Sequence, residues 1–190
     1  MKQSIGAKPI IYLFPVFVIG TYDKAQKPNA MTASWTGICC SQPLCVMVSL
    51  RKATASYTNI LERKAFTVNI PSEKNLEAAD YFGIATGRET NKFIDTGLTP
   101  VKSQVVDAPY IEEFPLIVEC RLQQTLEIGL HTEFIGEILD IKVEKNLLDS
   151  DNLPIMEKLK PFFFLPEKRT YYGLGKQRGN AFAIGKKIKK

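Results

Sequence analysis

The run PLIVECRLQQTLEIGLHTEFIGEILDIKVEK, residues 115–145, decides the fold. Val118, Cys120 and Leu122 alternate with Glu119, Arg121 and Gln123 in its first half. Leu139, Ile141 and Val143 alternate with Asp140, Lys142 and Glu144 in its second. Alternation of period two sends successive side chains to opposite faces of a strand. Gly129 lies near the join between the halves, so the spacing predicts a long hairpin.

Working outward, residues 16–22 are β-branched and aromatic and close at the turn-forming DKAQKPN. Residues 45–50 read as a second apolar strand, and AFTVNIPS as another, stopped by Pro71. TASYTNILERK predicts a helix capped by Thr54 or Ser56, with Ile60 and Leu61 on its core side. SEKNLEAADYFGIATG predicts a second, from Ser72 to a stop at Gly87, on the outside of the barrel or in a partner contact. A short helical piece is expected over 91–94, and an irregular, Gly-rich and aromatic end over 170–190. About six strands with antiparallel joins and short helices between them predict a mainly β fold, a barrel with flanking helices. No repeat or composition break divides the chain, so residues 1–190 read as one domain.

The charge is unevenly spread. The chain carries +5 overall, but nine Lys or Arg and one acid lie from Lys160 onward, and the remainder holds 16 basic and 19 acidic residues. A nucleic-acid reader more often places its cations on a folded face. The closing KKIKK therefore reads as a solvated end. The apolar KPIIYLFPVFVIG is interrupted by Pro15, is followed by no small-residue cleavage site, and falls short of a membrane span. It reads as a buried strand of a cytoplasmic protein. Cys39, Cys40, Cys45 and Cys120 form no CxxC pair and the chain has a single His, so no metal site is expected and free thiols acting as small core fillers are.

Nucleophile-elbow and phosphate-loop motifs are absent, which points to chemistry brought by a cofactor. NAMTASWTGICCSQP, residues 29–43, is too long for a hairpin turn and sets small and polar residues and the lone Trp between two strand signals. SLRKATAS then follows a strand and precedes a helix, offering Ser49, Arg51, Lys52, Thr54 and Ser56 where a helix start leaves amides unpaired. These supplies match what flavin mononucleotide (FMN) needs: small residues and backbone around a flat ring, hydroxyls for its ribityl chain, and cations for its phosphate.

Together with TNKF, GLHTEFIGEI and RTYYGLG, these stretches resemble the flavin reductase-like FMN-binding proteins, and among them the flavoredoxins, over about residues 7–185. The resemblance implies an FMN-binding split β-barrel, a homodimer and FMN as redox centre. It implies flavin contacts at Asn29, Met31, Thr32, Ala33, Ser34, Trp35, Cys40, Ser49, Leu50, Arg51, Thr54, Ser56 and Tyr57, with further contributors at Lys92, His131, Phe164 and Tyr171. His131 is the candidate for tuning the reduced flavin, whose anion an imidazole N–H donor would stabilise. Many reductases of the family carry an acid before the matching His; Leu130 stands there in this chain.

The reading is an electron carrier with FMN retained, exchanging electrons with NAD(P)H or an electron-transfer protein. The alternatives are an NAD(P)H-dependent flavin reductase that releases reduced flavin, and a small barrel binding single-stranded nucleic acid through the aromatics near its basic end.

Overall fold

The long hairpin is the backbone of the molecule. In a computed structural model, which describes residues 1–11 and 13–188, the chain runs through β1 (Phe14–Pro15), β2 (Phe17–Tyr22), β3 (Pro28–Ala33), β4 (Thr36–Ser41), β5 (Leu44–Arg51), α1 (Ala55–Arg63), β6 (Ala65–Ile70), α2 (Leu76–Ile84), α3 (Lys92–Thr96), β7 (Pro100–Lys102), β8 (Pro109–Ile111), β9 (Leu116–Ile128), β10 (His131–Val143), α4 (Met156–Leu159), β11 (Phe162–Leu165) and β12 (Thr170–Gly173). β9 and β10 are the expected hairpin, and Gly129 takes a left-handed φ of 52° at its turn. Tyr12, Lys189 and Lys190 lie outside the described residues, so the N-terminal apolar run and the basic end are described only in part.

Seven strands form one antiparallel sheet in the order β3-β2-β6-β9-β10-β5-β4. Its two edge strands, β3 and β4, are consecutive in the chain and joined by Ser34 and Trp35 alone. Two linking residues span at most about 11 Å, so the edges must stand side by side and the sheet must curl on itself. That is a barrel left unpaired at one seam, the split β-barrel expected from the sequence. The stretch 29–43, expected as a polar segment between strands, is largely two strands, because its small residues pair along β2 and β5, with Ser34 and Trp35 as the link between them and Gln42 and Pro43 as the turn into β5.

Inside the barrel, Ile19, Val48, Leu50, Phe66, Val68, Cys120 and Phe134 pack together. Gly136 permits this closeness, since a Cβ there would lie 2.5 Å from the Phe66 ring. A second core forms on the outer face, where Val18, Ile117 and Phe162 meet Ala79, Phe82 and Phe93 of α2 and α3.

With both faces covered at this end, the alternation of β9 misleads at Glu119. Although it belongs to the charged series, it is fully buried, and its carboxylate accepts from Lys142, which also holds Asp140. A bulge at Leu139 turns the apolar series of β10 outward, leaving Leu139 and Ile141 exposed.

Two other expectations change. The helix of 72–87 divides into a short 3-10 turn over Glu73–Asn75 and α2, which ends at Ile84, three residues before Gly87. The TYYG expected as irregular is β12, which pairs with β11 in a small sheet of order β1-β11-β12. Beyond it, residues 174–188 are exposed wherever their burial is described.

Candidate functional site

The site grows from the join between β5 and α1. Thr54 is the N-cap of α1, but its hydroxyl donates back to the Arg51 carbonyl (3.0 Å) instead of capping the helix, and no acid stands in the first turn. The first amides of α1 therefore face outward with no side-chain acceptor, a setting that attracts an anion.

Behind them lies a chain of buried donors. Asn59 Nδ2 donates to Thr21 Oγ1 (3.0 Å), Thr21 donates to Ser56 Oγ (3.5 Å), and Asn29 Nδ2 donates to the same oxygen (3.0 Å). Ser56, itself fully buried, accepts twice, so its own proton is left without an acceptor among these side chains. Asn29 Oδ1 is buried and has no partner among the described residues.

Opposite α1 stands the end of α2 and the segment after it. Phe82 to Gly87 form the far wall of a cleft of 330 Å³, whose near wall is Asn29, Met31, Arg51 and residues 53–56, with Lys92 between the walls. Gly87 is required here: a Cβ would fall 1.9 Å from Asn29 Oδ1. Lys92 is 4 % exposed, and its ammonium donates to the Ala30 carbonyl (2.8 Å) and the Phe82 carbonyl (3.0 Å). Burial lowers its pKa to about 8, with no carboxylate to offset the loss of water. One of its three N–H groups is spare. Arg51 has no acidic partner among the described residues. The lining holds two cations and no carboxylate.

Arg51 is also paired across the sheet with His131, the first residue of β10. The His131 ring lies against Trp35, centroids 4.6 Å apart, and the Trp35 carbonyl accepts from the Ser49 amide at 2.9 Å. Trp35 is 43 % exposed, so it is a surface ring beside the cleft and not a core residue.

The structure thus brings together Asn29, Met31, Arg51, Thr54, Ser56 and Lys92 around the cleft, with Ser49, Trp35 and His131 alongside. Ser34 sits in the β3–β4 link beside Trp35. Other candidates point elsewhere. The Thr32 hydroxyl donates to the Ala79 carbonyl on α2; Ala33 and Leu50 belong to the barrel core; Tyr57 packs edge-on against Phe134 at 5.2 Å. Cys40 lies toward the far end of β4, opposite Cys45, with its thiol on the Gln42 carbonyl. Phe164 and Tyr171 pack together at 5.4 Å in the outer core, where the Tyr171 hydroxyl donates to Asp80 (2.6 Å); burial, then that carboxylate, pushes the phenol pKa up. The sequence reading missed the wall 82–87. Its signal was available in GIATG, whose small residues after a helix permit close backbone approach.

The geometry agrees with the comparisons. Residues 12–163 match the model of the flavin reductase like domain. The chain belongs to the flavin reductase-like family. Within that family it is similar in structure to the flavoredoxin of Desulfovibrio vulgaris (Miyazaki F), with a TM-score of 0.94 and 49% identity over 97% of this chain and 100% of that one. A flavoredoxin from Methanosarcina acetivorans aligns with a TM-score of 0.92 and 28% identity over 99% of both chains. By sequence, the chain is 30% identical over 111 residues to a ferric-chelate reductase (NAD(P)H) of Archaeoglobus fulgidus, covering 56% of this chain and 62% of that protein.

Proposed function

We infer that the cleft holds FMN and that the protein is a flavin-dependent oxidoreductase acting as an electron carrier of the flavoredoxin kind. The observation that carries this reading is the donor set at one end of the cleft. Uncapped amides of α1, the spare proton of Ser56, an unpaired guanidinium and a buried ammonium without a counter-ion all belong to the lining of one cleft, which holds no carboxylate. A phosphate dianion satisfies all four at once.

FMN would supply the one- and two-electron chemistry that no side chain of this protein offers. The residues provide the rest. Arg51 and the start of α1 neutralise and orient the phosphate. Asn29 Oδ1 accepts from a ribityl hydroxyl, which ends its isolation. Met31, together with residues 83–87, small but for Ile84, gives the ring an apolar slot. His131, held against Trp35, places an N–H donor at the ring end and stabilises negative charge that develops there on reduction. The partly exposed Trp35 edge leaves a route by which donor and acceptor approach.

The barrel seam supports a homodimer. Ile38 is 66 % exposed beside a 160 Å³ apolar opening lined by Phe17, Val46, Val68, Val118 and Ile138, and Leu44, Leu139 and Ile141 are exposed too. Light scattering of the purified protein should give twice the chain mass.

Purified protein titrated with FMN should acquire the visible flavin absorption bands and retain them through gel filtration. Protein that stays colourless after FMN is added contradicts the reading. A second reading, a reductase that consumes NAD(P)H, is favoured by the similarity to the ferric-chelate reductase and by the exposed ring end. Rapid mixing of the FMN-loaded protein with NADH and NADPH separates the two: fast bleaching supports the reductase. Slow bleaching with fast reduction by a small electron-transfer protein supports the carrier.

A further inference from the structure

Three of the four cysteines gather at one place, the closed end of the β4–β5 hairpin. The sequence predicts small core fillers, and Cys120 is one, packed inside the barrel. Cys39 is exposed, Cys40 is partly so, and Cys45 is buried. The strand register brings them together. Cys40 stands directly opposite Cys45, and a bulge between Ile38 and Cys40 inserts Cys39 as an extra residue facing the same partner. The Cys39 thiol donates to the Cys45 carbonyl at 3.6 Å. No group of three or more His, Cys, Asp or Glu among the described residues could hold a metal ion, so the cluster offers thiol chemistry alone.

Cys45 shares its sheet face with Glu137, its partner on β10, while Val46 and Ile38 turn the other way and line the apolar opening at the seam. Cys40 is therefore reached from outside that opening. Directly opposed residues of an antiparallel pair have Cα atoms about 4.5–5.5 Å apart and Cβ atoms about as far. A disulfide accepts that Cα spacing but prefers a Cβ spacing of about 3.8 Å. Closing the bond draws the strands together at a hairpin end, where only the turn Gln42–Pro43 has to follow. The bond can form, and the strain of closing it makes it easy to reduce again. The two thiols differ in role. Burial, then the charges of the neighbouring thiols, pushes the Cys45 pKa up, which makes Cys45 the poorer first nucleophile. Cys40 is the accessible one, its thiol resting on the Gln42 carbonyl at 3.4 Å.

We propose that Cys40 and Cys45 are a site of reversible oxidation, closed to a disulfide by a low-molecular-weight disulfide of the glutathione kind. The Cys40 thiolate attacks one sulfur of the oxidant, whose S–S bond breaks and releases one thiolate. Cys45 then attacks the Cys40 sulfur of the mixed disulfide and releases the second. Two protein thiols are oxidised by two electrons, the oxidant is reduced to two thiols, and the protons lost by the cysteines pass to them. The inference does not depend on the FMN reading.

The test is incubation of the full chain with glutathione disulfide, alkylation of the remaining thiols, and peptide mapping by mass spectrometry, in the natural protein and in Cys39→Ser, Cys40→Ala and Cys45→Ala. The natural protein should link Cys40 to Cys45 within one chain and regain both thiols in excess reduced glutathione. Cys39→Ser, a change at an exposed position, should behave in the same way. Cys40→Ala should lose the bond. Cys45→Ala should stop at the mixed disulfide, with one glutathione held on Cys40. Should that buried change prevent folding, the natural protein and Cys39→Ser decide the matter alone. The proposal is overturned if no bond forms, if glutathione on Cys40 is the final product in the natural protein, if the bond runs through Cys39 or between two chains, or if it persists in excess reduced glutathione.

Discussion

The cleft and the ring pair alongside it are built differently. At the α1 end, Asn59, Thr21, Ser56 and Asn29 form a buried chain of hydrogen bonds, and Lys92 is pinned between two carbonyls from β3 and α2. Alongside, past Arg51 on the neighbouring strand, Trp35 and His131 lean on each other at 4.6 Å and Trp35 stands partly in solvent. Buried, prealigned dipoles need no reorganisation when an anion arrives, so the first end suits affinity. A loosely held, accessible ring pair contributes less to holding a ligand and more to what the ligand does and what can reach it. On the proposed FMN reading the contrast is a division of labour: binding energy from the phosphate end, redox tuning from the ring end.

The largest effect should follow Arg51→Ala. Loss of a charge-assisted contact to phosphate costs about 2–3 kcal/mol, roughly 30- to 150-fold in the FMN dissociation constant, measured by fluorescence titration. Ser56→Ala should come next. It removes the spare proton and strands the Asn29 and Thr21 donors, for about 1–2 kcal/mol and a parallel loss of thermal stability in the free protein.

A subtler test is pH. The folded pKa of Lys92, about 8, lies below the ordinary lysine value of 10.5, so between these values the unfolded chain holds more protons than the folded one. The Lys92 contribution to the stability of the free protein should be flat below pH 8 and rise from about 8 to about 10.5, read as the difference between the natural protein and the variant that lacks this lysine. A bound anion favours the ammonium, so FMN affinity should fall as pH rises through about 8, with proton uptake on binding seen by calorimetry in two buffers. Lys92→Met should flatten both profiles.

The smallest effect on affinity should come from the ring end. Trp35→Phe or His131→Gln should change the FMN dissociation constant by less than about threefold, within 0.7 kcal/mol. The same variants should move the flavin midpoint potential, the His131 change toward more negative values. Equal affinity losses at both ends would erase the division between them.

Much of this was legible in the sequence, for physical reasons that also explain the rest. The β9–β10 hairpin is visible because one face of a half-buried strand must be apolar; Glu119 escapes that rule because Lys142 neutralises it within the structure. α1 and its anion-facing start could be read from SLRKATAS, since helix starts depend on local residues. Lys92 could not be read as buried. Its partners are main-chain carbonyls of Ala30 and Phe82, and no local pattern records where a distant carbonyl will come to rest. The closure of the barrel likewise depends on Ser34 and Trp35 bridging two sheet edges, which looks like a loop until the strand order is known. Phe164 and Tyr171 took their assignment from family resemblance, and in the structure they pack between the small sheet and α2.

One comparison tests the central claim most directly: equilibrium dialysis of the natural protein and Arg51→Ala against FMN and against riboflavin, which lacks only the phosphate. The account predicts that the natural protein binds FMN far more tightly than riboflavin, and that the gap largely closes in the variant because only FMN binding weakens. Equal binding of the two flavins by the natural protein, or a gap that survives loss of Arg51 intact, would contradict it.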